Sequence, residues 1–178
     1  MPSPPPNDLA GIRTLALLGA AAAGKTSLAE ALLCKAGAIT TPGTLERGST
    51  VSDFDVLERR AQHSLYSALM HLRHQNTRVH LIDTPGSPDF LGQSLPALEA
   101  VETAAVVISA AGGIEMMAER MMNYAAQRER CRMIIVSKID ALDVDLEALV
   151  EQIRATFGKE CLPLNLPADD GARVVDCF

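Results

Sequence analysis

Short apolar runs alternate along most of the chain with longer segments in which apolar residues recur at helical spacing. The apolar runs predict four strands, at residues 13–18, 78–82, 104–110 and 132–137. The helical spacing predicts four helices, at residues 25–36, 89–101, 114–128 and 143–157. Strands that alternate with helices are typical of βα units around a mostly parallel sheet. The pattern therefore predicts an α/β fold, a three-layer sandwich with a mostly parallel sheet in the middle.

Three stretches depart from this alternation. Residues 37–60 are rich in Gly, Pro, Thr and charged residues without a clear period, which indicates a functional or mobile segment. Residues 64–73 fit either a strand that turns at 74–77 into the next strand, or a helix that continues from 58–62. Residues 1–10 contain three consecutive prolines and are expected to form a disordered leader.

Two further patterns have structural interpretations. A methionine stripe at helical spacing predicts core packing, and its members are Met116, Met117, Met121 and Met122. The spacing of His71, His74 and His80 does not fit a metal site. We expect these histidines on the surface or in strands.

Composition limits the classes of protein to which the chain can belong. At 178 residues it has room for one domain, and with 48% hydrophobic and 21% charged residues it can bury enough apolar surface to fold. The net charge of −6 excludes a global basic field, so we expect no sequence-specific DNA binding. Any contact with RNA has to be local or supplied by a partner. No stretch reaches the roughly 18 apolar residues of a membrane helix, so we expect no membrane partner.

The cysteines and the N-terminal region indicate the compartment. The 4 cysteines lie far apart in sequence and match no zinc-binding spacing, so we expect a reducing compartment and a cytoplasmic protein. Residues 13–23 are similar to a secretion signal in having a basic residue, a short apolar run and small residues. The proline-rich start, which contains an acidic residue, and the Gly-Lys-Thr-Ser that follows at once argue against a signal peptide.

The segment from Gly19 to Thr26 satisfies the pattern G-x-x-x-x-G-K-[ST], and it lies between a predicted strand and a predicted helix, as a phosphate-binding loop requires. In such a loop, backbone amides and the helix N-terminus surround a phosphate, the lysine reaches its oxygens and the hydroxyl binds Mg²⁺. The alternative is a plain strand-to-helix turn in an alanine-rich segment. Thr26 is therefore a candidate metal ligand. The candidate nucleotide-binding residues of this loop are Gly19, Ala20, Ala21, Ala22, Ala23, Gly24, Lys25, Thr26 and Ser27.

The sequence Asp-Thr-Pro-Gly at residues 83–86 follows the apolar run 79–82. A carboxylate at a strand end can hold Mg²⁺ directly or through water, and the glycine exposes an amide to a terminal phosphate. Alone, this tetrapeptide is an ordinary turn. Its place after a strand makes Asp83 a candidate metal ligand and nucleotide-binding residue, and Gly86 a candidate nucleotide-binding residue.

The sequence Ser-Lys-Ile-Asp at residues 137–140 follows the apolar run 133–136. An aspartate can accept two hydrogen bonds from the N1 and N2 donors of guanine, whereas adenine offers no such pair on that edge, and a lysine stem can pack over the base. Alone, the tetrapeptide fits a solvated loop. Three motifs in this order, each at a strand end, lie where parallel sheets bind ligands. Ser137, Lys138 and Asp140 are therefore candidate base-binding residues, and the expected cofactors are GTP or GDP and Mg²⁺.

The order of the phosphate loop, Asp-Thr-Pro-Gly and a near Asn-Lys-x-Asp resembles the GTPase domain of the translational GTPases. The resemblance is closest to elongation factor G and its elongation-factor-G-like paralogues. It covers about residues 11–178. Further similar segments are Thr50–Asp55, Asp89–Phe90, Leu162–Pro167 and Val174–Asp176.

This resemblance implies a P-loop NTPase fold, a ribosomal partner and Mg²⁺ held by Thr26 with Asp83 behind it. It implies a GTP-binding domain over residues 11–160 and the start of the family's extra subdomain over 161–178. It also implies that the last strand and helix of the domain are absent, so that the chain is expected to be a fragment. Such a fragment exposes a sheet edge, and its base pocket lacks one wall.

Several positions depart from the family pattern. Ser87 stands where translocating members have a histidine that positions the attacking water, and serine cannot replace imidazole in that role. Residues 60–63 match the end of the first switch, so His63 stands where the family has a Mg²⁺-binding threonine, with Ser64 adjacent. Smaller departures are Ala22 for aspartate and Ser137 for asparagine. They affect hydrolysis more than binding, and the catalytic residue stays unknown.

Three hypotheses about function follow. The first is a guanine-nucleotide-binding domain with slow or partner-dependent GTP hydrolysis. The second is a non-catalytic interaction module whose switch segments dock a partner in one nucleotide state only. The third is an ATP-using P-loop enzyme such as a small-molecule kinase, against which Lys138 and Asp140 argue.

Overall fold

The structure is a computed structural model that describes residues 9–142, 144–169 and 173–177. Its strands are β1 Ile12–Leu18, β2 Ala68–His74, β3 Thr77–Asp83, β4 Thr103–Ser109, β5 Cys131–Ser137, β6 Asn165–Ala168 and β7 Arg173–Asp176. Its helices are α1 Lys25–Lys35, α2 Val56–Ala61, α3 Leu91–Glu99, α4 Met116–Gln127 and α5 Leu146–Phe157. Two short 3₁₀ turns occupy Leu9–Gly11 and Pro88–Phe90.

The main sheet has the strand order β2-β3-β1-β4-β5, and β6 and β7 form a separate antiparallel pair. Neighbouring strands of the main sheet are parallel except for β2, which pairs antiparallel with β3. The prediction of a mostly parallel sheet is confirmed. The carboxyl ends of β1, β3 and β5 meet at one edge, which is where the three sequence motifs lie.

Helices cover the sheet on both faces, because successive side chains of a strand point to opposite sides. Leu17 of β1 packs in one core with Leu33 of α1. Leu18 packs in the other core, with Met121 of α4 and Ile153 of α5. The predicted three-layer sandwich is therefore confirmed.

The predicted strands of the main sheet agree with the structure to within one residue at each end. Residues 64–73 follow the first of their two alternatives, since Ala68–His74 is a strand that turns into β3. The strands β6 and β7 were not predicted, and the helix α2 overlaps only the start of the second alternative, a helix continuing from residues 58–62. Helix α2 has only 6 residues, too few for a periodic pattern, and it is held by a capping box between Asp55 and Glu58.

The predicted helix at 89–101 is shorter than expected, because Pro88–Phe90 forms a 3₁₀ turn before α3 begins and α3 ends at Glu99. Helix α5 begins at Leu146, after the carboxylate of Asp145 accepts a hydrogen bond from the Ala148 amide at 2.9 Å. The predicted start at residue 143 lies outside the described residues.

One smaller prediction is corrected. Three of the methionines in the stripe are buried, but Met116 is 58% exposed, so the core interpretation is wrong for that residue. Within the described residues, a 3₁₀ turn occupies Leu9–Gly11 and the first strand follows at Ile12, while residues 1–8 of the expected leader lie outside the described residues. Within the described part, no helix is long and apolar enough to cross a membrane.

Candidate functional site

The loop between β1 and α1 offers a ligand its backbone and little else. Gly19 and Gly24 have φ angles of 126° and 92°, and a Cβ on Gly19 would lie 2.4 Å from the carbonyl oxygen of Val107. Both positions therefore require glycine. Four alanines, residues 20–23, fill the space between them. Their methyl side chains add no charge, donor or acceptor to the loop.

Lys25 opens α1 and is buried. Its Nζ donates hydrogen bonds to the carbonyl oxygens of Ala20 at 2.6 Å and Gly19 at 3.1 Å. Burial lowers the pKa of Lys25 to about 8, against the opposing effect of the nearby charges of Asp83 and Glu115. The lysine therefore lies folded over the phosphate loop.

The turn after β3 lies directly against this loop. Thr26 Oγ1 donates a hydrogen bond to Asp83 Oδ2 at 2.6 Å. A Cβ on Gly86 would lie 2.4 Å from the backbone nitrogen of Ala21, so only glycine fits there. Burial raises the pKa of Asp83 to about 6, although the Thr26 hydrogen bond and the charge of Lys25 act in the opposite direction. The structure thus brings together the two predicted metal ligands, Thr26 and Asp83.

A third group joins them from the segment before β2. Ser64 Oγ lies 3.4 Å from Thr26 Oγ1 and donates to Asp53 Oδ1 at 2.7 Å. His63 is exposed, and its ring packs near Phe90 with centroids 6.2 Å apart. The hydroxyl beside Thr26 is therefore that of Ser64, and the predicted correspondence of His63 to a metal-binding threonine is corrected by one residue.

Asp53 was not singled out from the sequence, although it lies inside the similar segment Thr50–Asp55. It is buried beside Ser64, and burial raises its pKa despite the hydrogen bond from that serine. Sequence reasoning could not single out Asp53, because it comes close to Asp83 only when the chain between α1 and β2 folds over α1.

Four buried side-chain oxygens around this point make no hydrogen bond of normal geometry within the described part of the chain, although the hydroxyls of Thr50 and Ser52 lie close enough to Asp53 and Asp83, respectively, to act against their raised pKa values. They are Thr50 Oγ1, Ser52 Oγ, Asp53 Oδ2 and Asp83 Oδ1. Buried polar atoms without partners are uncommon in folded proteins and need an explanation. No group of three or more His, Cys, Asp or Glu that would hold a metal by itself occurs among the described residues. A set of hydroxyls and two carboxylates is the kind of site that holds Mg²⁺ together with phosphate oxygens.

Two buried glutamates hold this segment through backbone amides. Glu30 accepts hydrogen bonds from the amides of Gly43 and Val51, at 2.7 and 2.5 Å. Glu58 Oε1 accepts from the amides of Leu65 and Tyr66, at 3.0 and 3.1 Å. The chain between α1 and β2, which includes residues 37–60 without a periodic pattern, is therefore fixed by specific contacts. Neither glutamate was predicted as a site residue.

The loop after β5 contacts the phosphate loop through Ser137, whose Oγ donates to the Ala23 carbonyl at 2.6 Å. Lys138 has a φ of 53°, and it and Asp140 are exposed. Ser137 thus links the loop after β5 to the phosphate loop. The base-binding roles of Lys138 and Asp140 stay predictions.

Ser87 is half-buried and precedes the Pro88–Phe90 turn, where its carbonyl accepts a hydrogen bond from the Phe90 amide at 3.0 Å. The exposed Ser27 follows Thr26 on α1. The three histidines that were expected to be surface or strand residues all lie on the hairpin of β2 and β3, where His71 is the cross-strand partner of His80.

Comparison with known proteins decides the family. Residues 10–170 match the model of the elongation factor Tu GTP binding domain. The chain belongs to this family. It is 34% identical over 169 residues to an elongation factor G-like protein of Mycobacterium tuberculosis, covering 95% of this chain and 24% of the relative. It is 32% identical over 165 residues to peptide chain release factor 3 of Nitrosomonas europaea, covering 90% of this chain and 31% of the relative.

Solved structures agree with this family. A crystal structure of a Thermus thermophilus protein has a TM-score of 0.88 and 38% identity, and the match covers 94% of this chain and 26% of that one. A bacterial selenocysteine-specific elongation factor matches with a TM-score of 0.65 at 20% identity, over 85% of this chain and 24% of that one, which shows the fold alone. The resemblance to translational GTPases is thus confirmed. The chain spans about a quarter of the length of most of these relatives.

Proposed function

We propose that the chain is the Mg²⁺-dependent nucleotide-binding domain of an elongation-factor-G-like translational GTPase, with slow or partner-dependent GTP hydrolysis. One observation carries the proposal, the 2.6 Å hydrogen bond from Thr26 to Asp83. It joins the phosphate loop to the Asp-Thr-Pro-Gly turn beside buried oxygens that make no hydrogen bond of normal geometry among the described residues. The family is a GTP-binding one, which disfavours the ATP-using alternative.

Mg²⁺ fits, by donor type, the side-chain oxygens that meet here. We call them the oxygen cluster, and they belong to Thr26, Thr50, Ser52, Asp53, Ser64 and Asp83. The hydroxyls of Thr26 and Ser64 and the carboxylates of Asp53 and Asp83 are the residues that would hold it, directly or through water. When bound, the ion neutralises charge on the phosphates. We propose that the phosphate-loop amides and Lys25 hold the phosphates. The amide of Gly86 faces the terminal phosphate in this proposal.

For the base, we propose that Asp140 accepts hydrogen bonds from guanine and that the Lys138 stem packs over the ring. The link from Ser137 to Ala23 supports this, because it holds the base loop against the phosphate loop. The exposure of Lys138 and Asp140 leaves both side chains accessible to a ligand.

Slow hydrolysis is proposed because Ser87 occupies the position of the family's water-positioning histidine. Serine is too short, and at neutral pH too weak a base, to take over that role. The ribosome is the proposed partner of the full-length protein, on the basis of the family. The cytoplasm is the proposed compartment, consistent with the four free cysteines.

The test is a titration of the purified chain with labelled GDP, GTP and ATP, with Mg²⁺ and with EDTA. We expect guanine nucleotides to bind more tightly than ATP, and Mg²⁺ to increase their affinity.

Lys25→Ala should remove phosphate-dependent affinity, whereas the matched control Lys35→Ala, which changes an exposed lysine at the end of the same helix, should not. Asp140→Asn should lower guanine preference by about 1 to 3 kcal/mol, the effect of a lost charged hydrogen bond. Equal affinity for ATP and GTP would contradict the proposal.

A second candidate is a non-catalytic interaction module that docks a partner in one nucleotide state. It is favoured by apolar side chains that the same segment exposes next to the oxygen cluster, since Phe54 is 70% and Val56 61% exposed. Phosphate release separates the two candidates. Tight GTP binding with phosphate release at the uncatalysed rate, even when ribosomes are added, would support the non-catalytic module. GTP turnover stimulated by ribosomes would contradict it.

A further inference from the structure

Glu30 is a buried charge to which the proposed nucleotide chemistry gives no role. It is 1% exposed and lies on α1 four residues after Thr26, so both side chains leave the same face of the helix. Each carboxylate oxygen accepts one backbone amide, Oε2 from Gly43 and Oε1 from Val51. Among the described residues, no lysine or arginine forms an ion pair with it. Because an unpaired buried charge is costly, these two amide bonds are what keep the carboxylate in place.

The two amides belong to the two ends of one short loop, residues 43–51, which we call the neck loop. Gly43 packs so closely against its other end that a Cβ there would lie 2.2 Å from the Ser49 carbonyl oxygen. The Ser49 amide also donates to the Thr44 carbonyl at 3.2 Å. Glu30 therefore closes the neck loop and anchors the closed loop to α1.

The anchor is adjacent to the oxygen cluster. Val51 lies between Thr50 and Ser52, and Asp53 follows, so three of the four oxygens without a hydrogen bond of normal geometry flank the amide that Glu30 holds. The fourth belongs to Asp83, which is hydrogen-bonded to Thr26 on the same helix as Glu30. The oxygens of Thr50, Ser52 and Asp53 are thus positioned by Glu30, and that of Asp83 by Thr26, and both of these residues lie on α1.

We propose that Glu30 is a positioning residue for the cation site. By closing the neck loop onto α1, it holds Asp53, together with its neighbours Thr50 and Ser52, at a fixed distance from Thr26. A divalent cation brought in with a nucleotide then meets Thr26 and Asp53, two of its proposed ligands, already in position. This inference rests on the proposed Mg²⁺-dependent nucleotide binding. Glu30 itself contacts neither nucleotide nor cation in this arrangement.

Glu30→Gln is the informative change, because it keeps the size of the side chain and removes one of two acceptors. A glutamine offers one carbonyl oxygen, and its NH₂ group cannot accept from an amide. One end of the neck loop should therefore be released. Glu46→Gln is the matched control, since Glu46 lies in the neck loop and is exposed.

Two measurements test the proposal on the full chain. Hydrogen exchange without nucleotide should become about tenfold faster at Gly43 or Val51 in Glu30→Gln, with α1 amides unchanged, as expected for a local opening. Titration with labelled GDP should show that the gain in affinity from Mg²⁺ falls about tenfold, the effect of one charged hydrogen bond, while affinity in EDTA stays within about twofold. Glu46→Gln should match the wild type in both.

The outcomes separate this inference from the proposed function. If wild-type GDP affinity does not depend on Mg²⁺, the proposed function is wrong. If Mg²⁺ dependence is present but Glu30→Gln behaves like Glu46→Gln, only the role of Glu30 is wrong. An equal loss of affinity with Mg²⁺ and in EDTA would also overturn it, because that indicates a general structural defect.

Should Glu30→Gln fail to fold, Gly43→Ala opens the neck loop by a change within the loop itself and leaves α1 unchanged. The added methyl group meets the Ser49 carbonyl, so the two ends of the loop have to separate. The same loss of Mg²⁺-dependent affinity supports the proposal. Full retention of that affinity would overturn it.

Discussion

Asp83 is a buried acid whose neutral form is favoured by the fold. Its raised pKa means that between about pH 4 and pH 6 the folded protein binds a proton that the unfolded chain has lost. The contribution of Asp83 to the free energy of unfolding is therefore largest at low pH and declines as the pH rises through 6.

Asp83→Asn tests this effect in the metal-free protein. The stability of the wild type relative to the variant should fall by about 1 kcal/mol between pH 5 and pH 7.5, because a pKa shift of one unit corresponds to about 1.4 kcal/mol. Urea unfolding at both pH values measures the difference. A wild-type advantage that increases with pH would show that the carboxylate is stabilised in its charged form instead.

Gly86 is the residue at which the Asp-Thr-Pro-Gly turn touches the phosphate loop. Gly86→Ala should push the Ala21 backbone away, at a cost of about 1 to 3 kcal/mol in stability and a loss of nucleotide affinity. Gly92→Ala is the control, since its Cβ would meet nothing within 4 Å and it lies in α3. That control should be neutral or stabilising by up to about 1 kcal/mol. Thermal unfolding and GDP titration check both, and equal behaviour of the two variants would contradict the close contact.

At the scale of elements, the link between the β5 loop and the phosphate loop depends on Ser137. Ser137→Ala removes its hydrogen bond to Ala23, which should cost about 1 kcal/mol and lower guanine-nucleotide affinity several-fold. Nucleotide titration together with urea unfolding measures both effects. Thr156→Ala, at an exposed position of α5, is the control. Unchanged affinity in Ser137→Ala would mean that the base loop needs no support from this contact.

The sequence was sufficient to predict elements with strong periodicity or a fixed motif. The strands of the main sheet are short apolar runs, and the phosphate loop is a contiguous string whose function lies in its backbone. The segment from Ala38 to Ser67 could not be predicted in the same way. Its order comes from Glu30 and Glu58, which bind amides up to 21 positions away in sequence, and no local pattern encodes such pairs.

The one-residue error at His63 has a local cause. Gln62 ends α2 in the left-handed conformation, with a φ of 56°, and turns the chain so that the next two side chains diverge. His63 moves outward to Phe90, and Ser64 moves inward to Asp53. A motif aligned by composition alone cannot detect this turn.

For the whole molecule, the proposed function predicts a change in stability on binding. Mg²⁺ with GDP at about 100 times its Kd should raise the free energy of unfolding by about 2.7 kcal/mol, because the ligand binds only the folded state. Thermal unfolding with Mg·GDP, with Mg·ADP and with EDTA checks this. We expect a higher Tm with Mg·GDP than with Mg·ADP, and a reduced shift when EDTA removes the metal. Equal shifts with both nucleotides would contradict guanine selectivity.

The anchoring of the neck loop has a consequence for exchanging parts between related proteins. A chimera that imports residues 38–67 from a relative keeps the recipient's α1, and with it the residue at position 30. Where that residue is not glutamate, the grafted loop lacks the carboxylate that accepts hydrogen bonds from its two ends, even though every grafted residue is correct. The transferable unit is therefore the loop together with α1.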